Sequence, residues 1–222
     1  MDSSLRRRCG ASKFRTVALQ GAFLTGALLL GACASSGANG SSDEDVEYSR
    51  WVPASPVLQQ QIDDEVARLP WTHGFERLEQ IRWFAAIGEP AYASLLELCG
   101  DDRPDVAAAA LAALGATLDR RLVPYIHGCD WSEASLDGDL GLERARTLLR
   151  LGDWSEVPRL IAGMRHERVY TRTLCFDALT DQTSETHGYD PRSEPSERER
   201  AVVRWEEWWN ARGNDGMLAA RP

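Results

Sequence analysis

Apolar residues recur at spacings of three and four along almost every segment from Trp71 to the C-terminus. Side chains at these spacings share one face of an α-helix, whereas a half-buried β-strand needs a period of two, and no useful alternating stretch occurs here. Two such stripes stand at the start of the segment. The first consists of Phe75, Leu78, Ile81, Phe84 and Ile87, closed by Gly88, and the second, after Glu89-Pro90, consists of Tyr92, Leu95, Leu96 and Cys99. The pattern predicts an all-α chain built from pairs of short antiparallel helices.

The paired stripes repeat along the chain. Glycines close the first helix of three successive pairs, at Gly88, Gly115 and Gly152, and are 27 and 37 residues apart. The equivalent position of a fourth pair, Thr180, lies 28 residues further on. The longer interval contains an insertion at residues 129–138, without which the period is 27 to 28. Such a period is typical of an α-solenoid, in which each unit covers the apolar face of its neighbour.

Two segments carry a resemblance to a known repeat. Residues 101–115, DDRPDVAAAALAALG, resemble the first helix of a HEAT-type repeat, and residues 151–161, LGDWSEVPRLI, resemble its turn and second helix. The chain departs from the HEAT pattern at Trp83, where a small residue is usual, and in the fourth pair, whose second helix is replaced. The resemblance implies an α-solenoid of about four short HEAT-like helical hairpins over residues 51–222.

The C-terminal part resembles the last element of small bacterial HEAT-repeat proteins, which combine Gly-Tyr-Asp-Pro with a tryptophan-rich helix. Here the motif contains Tyr189 and Asp190, and the helix is expected at about residues 196–212. Trp205 and Trp209 share a face with Val202, so this helix is amphipathic and predicts a cap over the last apolar stripe. Trp208 lies at the edge of that face, and we expect it to contact Tyr189 or a ligand. The candidate residues for the cap or for binding are Tyr189, Asp190, Trp205, Trp208 and Trp209.

The N-terminus has the layout of a secretory signal. Five basic residues precede an apolar run from Val17 to Ala32, whose 16 residues fall short of the roughly 20 that a membrane-spanning helix needs. Leu30-Gly31-Ala32-Cys33 resembles the lipobox of bacterial lipoproteins. The resemblance implies that residues 1–32 are removed and that Cys33 is diacylated as the new N-terminus. We expect the lipid-anchored domain to face the periplasm or exterior. In enteric lipoproteins an aspartate after the cysteine keeps the protein at the inner membrane, and because Ala34 stands there instead, the outer membrane is weakly preferred.

Residues 33–50 are expected to form a flexible tether between the lipid and the folded domain. They are rich in serine and glycine and end in an acidic stretch, so they have little to bury. A dozen flexible residues span about 20 Å root-mean-square, which lifts a domain clear of the lipid head groups.

Charge excludes two classes of partner. Removing residues 1–32 takes five basic residues and one acidic residue from totals of 25 and 34, which leaves 20 basic and 33 acidic residues and a net charge of -13. Such a chain repels nucleic-acid phosphates and anionic lipid head groups, so we expect neither nucleic-acid binding nor a polybasic membrane patch. Lys13 is the only lysine, which excludes lysine nucleophiles and phosphate-loop lysines from the mature chain.

The sequence predicts no catalytic, metal or cofactor site. The four histidines, His73, His127, His166 and His187, include no pair at the spacing of a helical zinc site. Cys175 stands between Leu174 and Phe176 in a predicted helix, where a small apolar side chain is the expected role. Glu206 and Glu207 point about 100° apart on a helix and so cannot flank one glycosidic bond.

Two functions fit these observations. The first is a membrane-anchored, non-enzymatic protein-binding or scaffold module of the bacterial cell envelope, whose partner is a protein or peptide bound on the solenoid surface. The alternative is an enzyme similar to phycobilin lyases, which are also built on short HEAT-like repeats. Secretion opposes the alternative, because tetrapyrrole attachment takes place in the cytoplasm.

Cys99 and Cys129 are a candidate disulfide. They are 30 residues apart, close to one repeat, and each ends the second helix of its pair. Stacked units bring those ends side by side, and an extracytoplasmic compartment is oxidising. The opposing consideration is distance, since packed helix axes lie about 8 to 10 Å apart, whereas the Cα atoms of a disulfide lie within about 7 Å.

Overall fold

The computed structural model describes residues 51–129, 131 and 138–214, and over these residues the chain contains helices and no strand. The all-α prediction is therefore confirmed. The helices are α1 (Pro56–Arg68), α2 (Gly74–Ile87), α3 (Tyr92–Cys99), α4 (Pro104–Ala116), α5 (Val123–Gly128), α6 (Asp139–Arg150), α7 (Val157–Gly163), α8 (Val169–Thr183) and α9 (Pro195–Asn214). The leader, Cys33, the tether and most of the 129–138 insertion lie outside the described residues.

Proline and glycine set many of the helix boundaries. Pro56 and Pro104 are the first residues of α1 and α4, where a missing N–H costs nothing because the first turn has no intrahelical partner for it. Gly88 and Gly152 follow α2 and α6 with φ angles of 70° and 87°, a conformation that favours glycine. These two positions confirm glycines as helix terminators.

The prediction that Gly115 closes the first helix of its pair is wrong. Gly115 lies inside α4, and the chain leaves the helical conformation only at Leu118, whose φ is 58°. A Cβ atom at Gly115 would lie 3.3 Å from the Thr147 side chain of α6. The Thr147 hydroxyl in turn donates a 3.0 Å hydrogen bond to the carbonyl of Leu111 in α4. Gly115 therefore permits α4 and α6 to approach closely.

The helices contact one another in a regular order. α4 packs against α2 on one side and α6 on the other, and α8 packs against α6. α3 contacts α1 and α5, and α9 contacts α7. The helix at the N-terminus, α1, lies outside the predicted repeats, and α8 ends at Thr183, three residues beyond the predicted position at Thr180.

The buried apolar residues form two large clusters, and α6 contributes to both of them. The first cluster joins α1 to α6 and includes Leu148 of α6, together with Leu151 just after the helix. The second joins α6 to α9 and includes Ala145 and Leu149. All four side chains are at most 1% exposed. Packing of the C-terminal half on the N-terminal half therefore depends on two faces of one helix.

The predicted apolar stripe of α2 is wrong at its N-terminal end. Phe75 and Leu78 are 68% and 41% exposed, as is the preceding Trp71, at 80%. The buried residues of α2 are Gln80 and Phe84. The Gln80 amide donates to a Glu65 carboxylate oxygen of α1 at 2.7 Å, so a polar contact with the unpredicted helix α1 turns this face of α2 inward.

Candidate functional site

The Gly-Tyr-Asp-Pro segment is anchored to the body of the domain. Tyr189 is buried, packs against Phe176 with 5.2 Å between ring centroids, and its hydroxyl donates a 2.5 Å hydrogen bond to the carbonyl of Met164. Burial raises the pKa of Tyr189, so the phenol is neutral. The buried Arg172 guanidinium donates to the carbonyl of Pro191 through Nε and Nη2, at 3.0 and 2.7 Å. These bonds fix the chain immediately before α9.

Asp190, by contrast, is exposed and makes a local turn. Its carboxylate accepts a 2.8 Å hydrogen bond from the backbone N–H of Arg192. Side chains of this type commonly stabilise a turn by bonding to the backbone two residues on. The structure thus places Tyr189 and Asp190 in anchoring and turn positions.

The three tryptophans of α9 occupy different environments. Trp205 is fully buried, and its ring meets His187 and Trp208 edge-on at 4.6 and 5.2 Å. Trp208 is half-buried and packs on His187, with 5.8 Å between ring centroids. Trp209 is half-buried and lines a surface cavity. Of the three, Trp209 is the one in the cavity lining.

That cavity has a volume of about 620 Å³. It lies between the start of α5, the turn from α6 to α7 and the end of α9. Its lining consists of Arg120, Val123, Pro124, Leu151, Gly152, Asp153, Trp154, Ser155, Trp209 and Arg212. We call it the Trp–Arg cavity, after Trp154, Trp209, Arg120 and Arg212.

Arginine and tryptophan side chains are stacked at this site. The Arg212 guanidinium carbon lies 4.3 Å from the ring centroid of Trp208 and 5.7 Å from that of Trp154. Cation–π contacts of this kind hold a guanidinium in place without neutralising its charge. Among the described residues, no carboxylate forms an ion pair with Arg212. Its donors are therefore available to an anionic group.

The second arginine depends on a glycine. A Cβ atom at Gly152 would lie 3.2 Å from Nε of Arg120, and the φ angle of Gly152 is 87°. A larger residue at this position would strain the backbone and displace the guanidinium. The glycine that ends α6 thus also makes room for an arginine of the cavity wall.

Asp153, on the cavity rim, belongs to a hydrogen-bond network. Its carboxylate lies 2.6 Å from Nε2 of His127, and Nδ1 of His127 lies 2.9 Å from Nη2 of Arg144. Because a guanidinium only donates, Nδ1 must accept, and Nε2 carries the proton that is donated to Asp153. Both imidazole nitrogens are engaged, so His127 has no free nitrogen to act as a general base.

The charge of Asp153 follows from this network. Burial raises the pKa of its carboxyl, but the hydrogen bonds from His127 and Ser155 outweigh burial, and the pKa is lowered overall. Asp153 is therefore ionised at neutral pH. The cavity lining therefore contains one ionised carboxylate besides its two arginines.

The remaining candidate groups are dispersed. Within the described residues, no group of histidine, cysteine and carboxylate side chains could hold a metal ion, and no helix is long and apolar enough to cross a membrane. Cys175 is fully buried, and burial raises its pKa to about 12, so it is a thiol. Glu206 pairs with Arg165 at 2.6 Å, whereas Glu207 is exposed.

Cys99 and Cys129 are both free thiols in this structure, and the Cys129 side chain packs against the apolar cluster that contains Cys99. α3 and α5 contact each other, and the Cys129 sulfur lies 3.9 Å from the carbonyl oxygen of Leu96, in the last turn of α3.

No protein family, curated protein or solved structure matches the chain. The HEAT-type resemblance is thus supported by the residues that carry it and by no relative.

We predict that Trp205→Ala and Trp208→Ala differ in their cost to stability. Trp205 is fully buried, so its truncation should lower the free energy of unfolding by about 3 to 5 kcal/mol, the range for large aromatics in a core. Trp208 is half-buried on the rim of the same cluster, and its truncation should cost less. Urea unfolding followed by circular dichroism measures both. Equal and negligible losses would show that α9 does not close the core.

Proposed function

We propose that this chain is a lipid-anchored, non-enzymatic binding module of the bacterial cell envelope, and that the Trp–Arg cavity holds part of a protein or peptide partner. The observation that carries this proposal is the cavity itself, whose lining includes two half-buried tryptophans and Arg212, which is stacked on indole rings. Tryptophan and arginine are the residue types that most often dominate binding at protein interfaces.

Charge supports an anionic segment as the group that enters the cavity. The chain from Cys33 onward carries 20 basic and 33 acidic residues. Most of its surface therefore repels carboxylates, while Arg212, held by cation–π contacts, presents positive charge within one concave site. A peptide segment with an acidic side chain beside an apolar one fits this combination, because guanidinium groups bind carboxylates and indole rings cover apolar surface.

The order of helix contacts supports an α-solenoid of about four HEAT-like hairpins closed by α9. Contacts from α2 to α4, from α4 to α6 and from α6 to α8 are those expected when the first helices of successive hairpins stack. Contacts of α3 with α5 and of α7 with α9 are those expected of second helices. Under this arrangement α9 supplies both the cap and one wall of the cavity.

The proposed absence of catalysis rests on the state of two side chains. His127 uses both ring nitrogens in hydrogen bonds, and the thiol of Cys175 is protonated and fully buried. Neither is in the form that a general base or a nucleophile requires.

Trp51, the residue that follows the proposed tether, is packed on the body of the domain. Trp51 packs against Tyr92 and Tyr125, with 5.0 and 5.3 Å between ring centroids, and the Arg121 guanidinium lies over its ring at 5.3 Å. The next residue, Val52, donates its N–H to Glu89 at 3.0 Å. The chain is therefore packed on the rest of the domain from Trp51 onward, immediately after the proposed tether at residues 33–50.

Cys33→Ala tests the anchor. If Cys33 is acylated, the variant cannot be processed as a lipoprotein, and we expect a longer species that lacks the acyl chains. Metabolic labelling with an alkyne fatty acid and intact-mass measurement report the two properties. The proposal of a lipid anchor fails if wild type and variant both lose the leader, differ in mass only by the cysteine-to-alanine substitution, and do not incorporate the label.

Site-specific photo-crosslinking tests the cavity. A photoreactive amino acid at the exposed Ser155, on the rim, should give a discrete adduct with a partner in envelope preparations, and Arg212→Ala should reduce that adduct about tenfold, which corresponds to loss of about 1.4 kcal/mol of binding. Arg200→Ala is the matched control, because Arg200 is an exposed arginine of α9 outside the cavity lining.

A photoreactive amino acid at Phe75, which is exposed on α2, is a second control, because it detects partners that bind elsewhere on the surface. An adduct at Ser155 that both arginine substitutions leave unchanged, or an equal adduct at Phe75, would contradict the assignment of the cavity as the binding site.

A further inference from the structure

The C-terminal ends of α3 and α5 place two thiols at one apolar cluster. Cys99 is the last residue of α3, and Cys129 directly follows α5. The Cys129 sulfur lies 3.3 Å from the carbonyl oxygen of Tyr125 in its own helix and 3.9 Å from that of Leu96 in α3. Cys99 belongs to the apolar cluster against which the Cys129 side chain packs, so the two side chains lie at the same pair of helix ends.

The two thiols differ in access to solvent. Cys99 is 1% exposed and belongs to the first apolar cluster, whereas Cys129 is half-buried and lies at the edge of that cluster. A reagent in solution can therefore reach Cys129 but not Cys99. The third described cysteine, Cys175, is fully buried in a different cluster and serves as an internal reference.

The two thiols also differ in how readily they ionise. A hydrogen bond from Cys99 and the positive charge of Arg144 stabilise a thiolate at Cys129 and lower its pKa. The hydrogen bond to Cys129 and burial raise the pKa of Cys99. Access and ionisation thus favour the same residue as the nucleophile, because the thiolate is the reactive form of cysteine.

We propose that Cys99 and Cys129 form a redox-active pair, in which Cys129 attacks an incoming disulfide and Cys99 resolves the resulting mixed disulfide. The inference is independent of the proposed binding function. Its product is a disulfide that joins the ends of α3 and α5 and encloses α4.

Each step of the exchange balances. The Cys129 thiolate attacks one sulfur of a donor disulfide such as glutathione disulfide, a bond forms between the two sulfurs, and the other glutathione leaves as a thiolate that takes up the proton lost by Cys129. Cys99 then loses its proton, and its thiolate attacks the Cys129 sulfur. The second glutathione leaves with that proton. Two protein thiols are oxidised by two electrons, and one donor disulfide is reduced to two thiols.

The order of attack can be read from trapped products. The purified full-length chain is treated with glutathione disulfide under native conditions, alkylated at intervals, digested and analysed by mass spectrometry. In the wild type we expect a peptide pair joined through Cys99 and Cys129. In Cys99→Ser we expect glutathione to accumulate on Cys129, about tenfold or more faster than it accumulates on Cys99 in Cys129→Ser. Cys175 should stay unmodified while the protein is folded.

Two further measurements separate reactivity from misfolding. Circular dichroism verifies the fold of each variant, and Cys99→Ala replaces Cys99→Ser if the serine disrupts the core. In urea the preference for Cys129 should disappear, because Cys99 is no longer buried and Cys129 is no longer held near the charge of Arg144. The proposal is overturned if Cys99 and Cys129 react at equal rates in the folded variants, if the preference persists in urea, or if the wild type keeps glutathione on Cys129 without forming the internal disulfide.

Discussion

The packing of α6 on both sides is the constraint on which the rest of the structure depends. Leu148 contributes to the apolar cluster of the N-terminal helices, and Leu149, the next residue, contributes to that of the C-terminal helices. The contact of Thr147 with Gly115 fixes how closely α6 approaches α4. Because α6 continues directly into the turn that contains Gly152 and Trp154, the same packing positions one wall of the Trp–Arg cavity. The fold and the proposed binding site therefore share a single structural element.

The cavity also depends on residues far from it. Its opposite wall is the end of α9, and α9 is held by the segment before it, where Tyr189 bonds to Met164 and Arg172 bonds to Pro191. The tyrosine motif thus acts on the site through position and not through contact. Because the motif fixes the position of α9, it also fixes Arg212, which lies on that helix. Arg212 and Arg120 are distant in sequence, and the fold brings them to the same cavity.

Local patterns predicted the helices well and the cavity poorly. Spacings of three and four identify the helices from α2 to α9, because burial of one face imposes the helical period. The burial of Trp205 follows from the same rule. The buried face of α2 is predicted wrongly because Gln80 forms a hydrogen bond with Glu65 of α1. A search for apolar residues at helical spacing cannot detect such a polar contact. The cavity could not be predicted, because Trp154 and Trp209 come from separate helices and only tertiary packing brings them together. A tryptophan in a short turn between helices, as at Trp154, is the one available signal.

The most direct test of this account is native-state hydrogen exchange on Leu148→Ala. Leu148 lies in the first cluster, and its truncation should cost about 2 to 5 kcal/mol. If α6 couples the two clusters, amides of α9 should lose protection together with amides of α4, although no atom of the second cluster has been removed. Loss of protection in α4 with unchanged protection in α9 would show that the two clusters unfold independently, and would contradict the account.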